Sequence, residues 1–195
     1  MGKEMLKDGY KRILILGFLI ISPMAMAATK TMYDANQDAR IRLYGQNQKT
    51  TILKYEYHGK KEKINVGGGA GDAFSSFIGT VKNQSIGIAQ TDMSQNLKEH
   101  NGIFSKVFYK EFVIPSGHPV SIKNAFLGLT NVVDSSTGTT IQYEGNCTSS
   151  ELIFTPKAGK DYEAIPSQNG AACGVILLEV DADGNTAKVN FVNIK

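Results

Sequence analysis

The chain has 195 residues, 42% of them hydrophobic and 20% charged, with a formal net charge of +3. Residues 1–27 hold four of the 21 basic and two of the 18 acidic residues, which leaves 17 against 16 for the remainder. So balanced a remainder has no general field to steer it onto nucleic acid, and its 168 residues (195 less 27) suit one domain with a real core.

Residues 1–27 have the order of a secretory signal. Lys3, Lys7, Lys11 and Arg12 form a positive n-region, and residues 13–21 are an unbroken run of nine apolar residues. Ser22 and Pro23 break the run, and Ala25-Met26-Ala27 offers small residues for cleavage before Ala28. Nine apolar residues fall short of the roughly 20 that a spanning helix needs. The expectation is a periplasmic or secreted protein with no membrane span after signal cleavage, and residues 28–195 as a single β-sandwich domain.

Residues 28–37 read as a loose lead-in. Residues 38–45 alternate, with Ala39, Ile41 and Leu43 on one face and Arg40, Arg42 and Tyr44 on the other. This predicts a strand with one face buried. The two arginines read as a solvated strand face in preference to a ligand clamp. A turn at 46–49 leads to a strand over 51–57, and His58-Gly59-Lys60-Lys61 turns the chain into a short strand over 63–66.

Gly67-Gly68-Gly69-Ala70-Gly71-Asp72 follows. A glycine-rich loop before a helix can cradle an anion on backbone N–H groups. No Gly-Lys-Ser/Thr follows, and the dinucleotide-binding glycine spacing is absent. Asp72 reads as the N-cap of a short helix over 73–78, whose Phe74, Phe77 and Ile78 share one face. Residues 82–100 form a long polar connection, the kind of segment that often carries function. Gly67, Gly68, Gly69 and Asp72 from the loop, and Asp92 and Ser94 from the connection, are the binding candidates, together with His118.

Residues 106–122 read as strand, tight turn, strand, with Pro115-Ser116-Gly117 as the turn. Further strands are expected over 125–133, 140–144, 150–156, 161–165 and 174–180. The last forms a C-terminal hairpin with 187–192 across Asp181-Ala182-Asp183-Gly184-Asn185. That turn lacks the twelfth-position acid of a calcium loop, so turn chemistry explains it. The many short strands, frequent turns and one short helix predict an all-β, antiparallel β-sandwich.

The two cysteines, Cys147 and Cys173, lie 26 positions apart. In an oxidising compartment such a pair is most simply a disulfide, in preference to a catalytic thiol or a metal site, since neither has neighbours at ligand spacing. A loop of that size stabilises by roughly 3 kcal/mol in the chain-entropy model. No metal or cofactor is expected.

The Pro115-x-Gly117-His118 turn and Ala158-Gly159-Lys160-Asp161-Tyr162 resemble patterns in small uncharacterised bacterial envelope proteins of β-sandwich type, over roughly the last half of the chain. Those proteins carry Pro-x-Gly-x-His, whereas here His118 follows Gly117 directly. The resemblance implies the sandwich fold and the envelope compartment, and no common activity.

His58, His100 and His118 are the histidines, and no nucleophile-elbow, zincin or paired-carboxylate motif accompanies them. The expected role is an exported, non-enzymatic binding or structural module of the bacterial envelope with a protein partner, an inhibitor or immunity-type protein being one form of it. The alternatives are a periplasmic hydrolase with a dispersed site and a surface-fibre subunit.

Overall fold

The computed structural model describes residues 32–68, 81–100, 106–126, 130–135, 138–143, 146–169 and 172–189. The expected signal (1–27), Gly69, Asp72 and the expected helix over 73–78 lie outside these residues. Twelve strands are present among the described residues: β1 (Asp38–Gly45), β2 (Lys49–Tyr57), β3 (Lys60–Val66), β4 (Phe108–Pro115), β5 (Val120–Phe126), β6 (Thr130–Ser135), β7 (Gly138–Tyr143), β8 (Cys147–Thr148), β9 (Leu152–Phe154), β10 (Asp161–Asn169), β11 (Ala172–Val180) and β12 (Thr186–Lys188). A four-residue helix, α1 (Asp92–Gln95), and a 3-10 turn (Leu97–His100) lie in the connection between β3 and β4.

The strands form two main sheets. The first runs β12-β11-β10-β1-β4, and the second runs β3-β2-β5, with β8 and β9 on the far edge of β5. β6 and β7 make a separate hairpin. Alternation explains the layering. Ala39, Ile41 and Leu43 of β1 are fully buried and share one cluster with Phe108 and Ile114 of β4, Leu53 of β2, Ile122 of β5, and Tyr162, Ala164 and Leu177 of the first sheet. Each of the buried Leu, Ile and Phe side chains contributes about 1.5–3 kcal/mol by leaving water. The fold is therefore an all-β sandwich of mostly antiparallel strands.

Three connections depart from what local pattern suggests. β4 and β5 are strand, turn, strand in sequence, yet they belong to different sheets. Their turn is held from outside, by Gly117 N–H donating to Pro156 O at 2.9 Å and Ser116 N–H to Gln37 O at 3.2 Å. β1 pairs with β10 in parallel, Arg40 opposite Asp161 through Leu43 opposite Ala164, within a fold otherwise antiparallel in its strand ladders. β8 and β9 occupy one edge of β5 as an interrupted strand, divided where Asn124 and Ser149 exchange bonds instead.

Two cross-links tie the sheets together. Cys147 of β8 and Cys173 of β11 are joined as a disulfide with a Cα–Cα separation of 5.8 Å, so the bridge runs from one sheet to the other. A buried polar chain crosses nearby. Thr51 Oγ1 lies 2.6 Å from Tyr44 O and 3.0 Å from Asn124 Oδ1, and Asn124 Nδ2 donates to Gly174 O at 2.6 Å. No helix among the described residues is long and apolar enough to cross a membrane.

Candidate functional site

The outer face of the first sheet holds the densest chemistry. Register sets it: Arg42 of β1 stands opposite Glu111 of β4 on one side and Glu163 of β10 on the other. Sequence alternation assigns this face to solvent. Instead the side chains of Arg42, Glu111 and Glu163 are all fully buried, because the 81–100 connection lies over them as a third layer. The expected solvated face of β1 is thus corrected to a buried polar seam.

The seam is held by charge-assisted hydrogen bonds. Arg42 donates from Nε at 2.9 Å and Nη2 at 2.7 Å to Glu111 Oε1. Glu111 Oε2 accepts Ser85 Oγ at 2.8 Å and the backbone N–H groups of Ile86, Gly87 and Ile88 at 2.7, 3.1 and 3.2 Å. Arg42 Nη2 also donates to Ile88 O and Ala89 O, both at 2.9 Å. One carboxylate and one guanidinium therefore grip a single strap of chain from both its donor and acceptor sides. Burial alone opposes the charge on Arg42; its bond to Glu111 and the nearby negative charge outweigh this and hold the guanidinium above its ordinary value.

Glu163 completes the row. Its Oε1 accepts Arg42 Nη1 at 3.1 Å, Thr91 Oγ1 at 2.7 Å and the Tyr44 hydroxyl. Its Oε2 is buried and has no hydrogen-bond partner among the described residues. Burial, reinforced by Glu163, pushes the Tyr44 hydroxyl well above the usual tyrosine range, so it stays a donor. A parallel row lies one step along. Arg40 makes a bidentate pair with Asp161, both bonds 2.7 Å, and donates to Ile86 O at 3.3 Å.

The strap delivers α1. Thr91 caps it by accepting Ser94 N–H at 3.2 Å while Ser94 Oγ accepts Thr91 N–H at 2.8 Å, a reciprocal capping box. Ser94 is thereby buried in its own cap, and Asp92 accepts Asn96 Nδ2 at 2.7 Å. Met93 of α1, His100, Tyr44, Val107, Phe126 and Pro166 line a cavity of about 190 Å³ at this end of the sandwich.

Gly67 and Gly68 reach the same end. Gln46 and Lys49 exchange backbone bonds at 3.0 and 3.1 Å in the turn between β1 and β2 and also line the cavity. A Cβ on Gly67, whose φ is +78°, would meet Lys49 O at 2.5 Å. The start of the glycine-rich loop is thus packed against that turn, with its backbone in the left-handed region. His118 lies elsewhere. Its ring centroid is 5.6 Å from Tyr57, which also contacts His58 at 3.9 Å, at the opposite end of β2 from Lys49.

The structure therefore brings Gly67, Gly68, Asp92 and Ser94 to one end and sets His118 at the other. The Arg42–Glu111–Glu163 row escaped the sequence reading. Its only trace there is alternation of charge within β1, which does not reveal a covering layer. Among the described residues no group of three or more His, Cys, Asp or Glu is arranged to hold a metal ion. No family model matches the chain, and no curated protein or solved structure matches it either.

Proposed function

We propose that the protein is an exported, non-enzymatic binding module of the bacterial cell envelope, and that its binding end is the one where the strap, α1 and the first residues of the glycine-rich loop meet. The observation that carries this reading is the 190 Å³ cavity beside Tyr44, lined by Met93 of α1 and by Gln46 and Lys49, the turn residues against which Gly67 packs. A long connection gripped by buried charge is a rigid platform, the usual arrangement for recognition loops on a sandwich. The groups best suited to acid–base chemistry, Glu111 and Glu163, are buried in holding that platform. The signal-like order of residues 1–27 and the closed disulfide both support the extracytoplasmic compartment.

The partner is an envelope protein that seats one apolar side chain in the cavity. Photo-crosslinkers at Met93 and, separately, at His118 test this in the envelope fraction. One stoichiometric adduct from Met93 and none from His118 is the expected pattern. Equal labelling from both positions, or none, would refute the cavity end as the binding end. Export is tested separately, by sequencing the mature N-terminus. An N-terminus at or near Ala28 is expected, and Met1 on a cytoplasmic protein would sink it.

A further inference from the structure

The outer edge of the second sheet is a different surface from the cavity. β3 is the outermost strand of the second sheet, and among the described residues nothing pairs with its outer edge. The register of the β2–β3 hairpin says which groups that edge presents. His58 and Gly59 form its two-residue turn with φ of 50° and 71°, and Tyr57 stands opposite Lys60. In such a turn the closing pair exchanges hydrogen bonds, and bonded and unbonded pairs then alternate. Glu62 and Ile64 therefore bond to β2, while the N–H and C=O groups of Lys61, Lys63 and Asn65 point outward. The side chains of the same three residues are exposed.

Charge then selects the partner. Lys63 stands directly opposite Lys54, a like-charged cross-strand pair that disfavours the sheet. Lys54 is paired with Glu151 at 2.9 Å, and Lys61 stands opposite Glu56. Lys63 thus has a cation and not a carboxylate opposite it in the register. Between β3 and the inner layer, Ile64 is half-buried and packed against the core.

We propose that β3 is a docking edge for an extended segment of another protein, added as an antiparallel strand with acidic residues at alternate positions and apolar residues between them. The acidic residues stand over Lys61 and Lys63 on the outer face. The apolar residues extend the core beyond Ile64. The lysines that protect this edge against neutral strands are then also its selectivity for an acidic one. This rests on the binding-module reading but uses a different face, so the crosslinking and export tests above do not decide it.

The test uses the purified protein expressed from the full chain and the capped peptide Glu-Val-Glu-Val-Glu-Val-Glu. Saturable amide shifts at Lys61, Lys63 and Asn65 are expected in two-dimensional NMR. The Lys63→Glu variant, altered at one exposed position and opposite Lys54, should bind about tenfold more weakly without melting lower. Backbone geometry adds a sharper check. A Glu residue opposite Lys61 turns its own N–H toward β3, whereas the Val amides point away. Methylating the Glu amides should abolish binding, and methylating the Val amides should spare it. The proposal is overturned if both methylated peptides bind alike, or if no saturable shift appears by about 1 mM peptide. It is also overturned if inorganic polyphosphate binds through the same lysines and the peptide does not. That outcome would place an anionic polymer in the trough of about 330 Å³ that runs past Lys54, Lys61 and Lys63.

Discussion

Arg42 serves two carboxylates with one charge. Removing it leaves Glu111 and Glu163 buried at 0% side-chain exposure with no cation between them. Breaking a buried pair in this way costs about 3–5 kcal/mol, so Arg42→Ala should lose that much in urea unfolding. Glu163→Gln is the contrasting variant. It keeps an acceptor for Tyr44 and Thr91 and removes the surplus negative charge, and a loss of about 1 kcal/mol or less is expected. Equal losses in the two variants would mean that shape and not charge holds the seam. The tyrosines give a second reading at this scale. Burial raises Tyr44, Tyr55 and Tyr162 above their ordinary value. Above pH of about 10 the unfolded chain loses these protons while the folded chain keeps them, so stability is full below that pH and falls as pH rises past it. Melting temperatures from pH 8 upward, with tyrosinate absorbance followed in parallel, should show ionisation delayed until unfolding. Smooth titration of every tyrosine in the folded state would contradict this.

At the scale of elements, the strap between Gln84 and Thr91 is a segment with little regular structure that borrows its order from one carboxylate. Glu111 Oε2 accepts a hydroxyl and three backbone N–H groups. Glu111→Gln keeps the shape but turns either acceptor oxygen into a donor that faces donors. Hydrogen exchange should then speed up at Ile86, Gly87 and Ile88, while the amides of Ile41 and Leu43 in β1 stay protected. Unchanged exchange at the three strap amides would show that the strap is held by other means. The strap also marks the limit of what the sequence discloses. The bounds of β1 and the core face of β1 follow from alternation alone, and the C-terminal hairpin follows from its turn residues. The burial of Arg42 does not, because alternation separates two faces without saying which layer covers each. Nor do the sheet memberships of β4 and β5. A tight turn with Gly117 looks the same whether it closes a hairpin or carries the chain across a sandwich. Gly67 and Gly68 carry a composition signal that a ligand loop and a close backbone approach share. Only the 2.5 Å contact a Cβ would make with Lys49 O reveals the close approach.

At the scale of the whole molecule, the disulfide matters for where it runs. Cys147 and Cys173 join strands of different sheets, at the side where Asn124 also reaches Gly174 O at 2.6 Å. Cys147→Ser or Cys173→Ser should cost about 2–4 kcal/mol, with the double variant no worse than either single one. Denatured, unreduced protein should titrate no free thiol. Two reactive thiols per chain would overturn the bridge, and additive losses in the double variant would mean that each sulfur also packs independently.

The parallel pairing of β1 with β10 sets an order of events in time. Arg42 and Glu163 lie 121 positions apart, so β1 is made long before the β10 strand that completes its pairing. Closing so long a loop slows folding, since its entropy must be lost before any contact rewards it. Until β10 arrives, β1 can pair with β4 but has an open flank, and Arg42 has one carboxylate of its two. A chain interrupted between Pro115 and Asp161 therefore has one flank of β1 unpaired, an arginine-bearing strand edge open to chaperones and proteases.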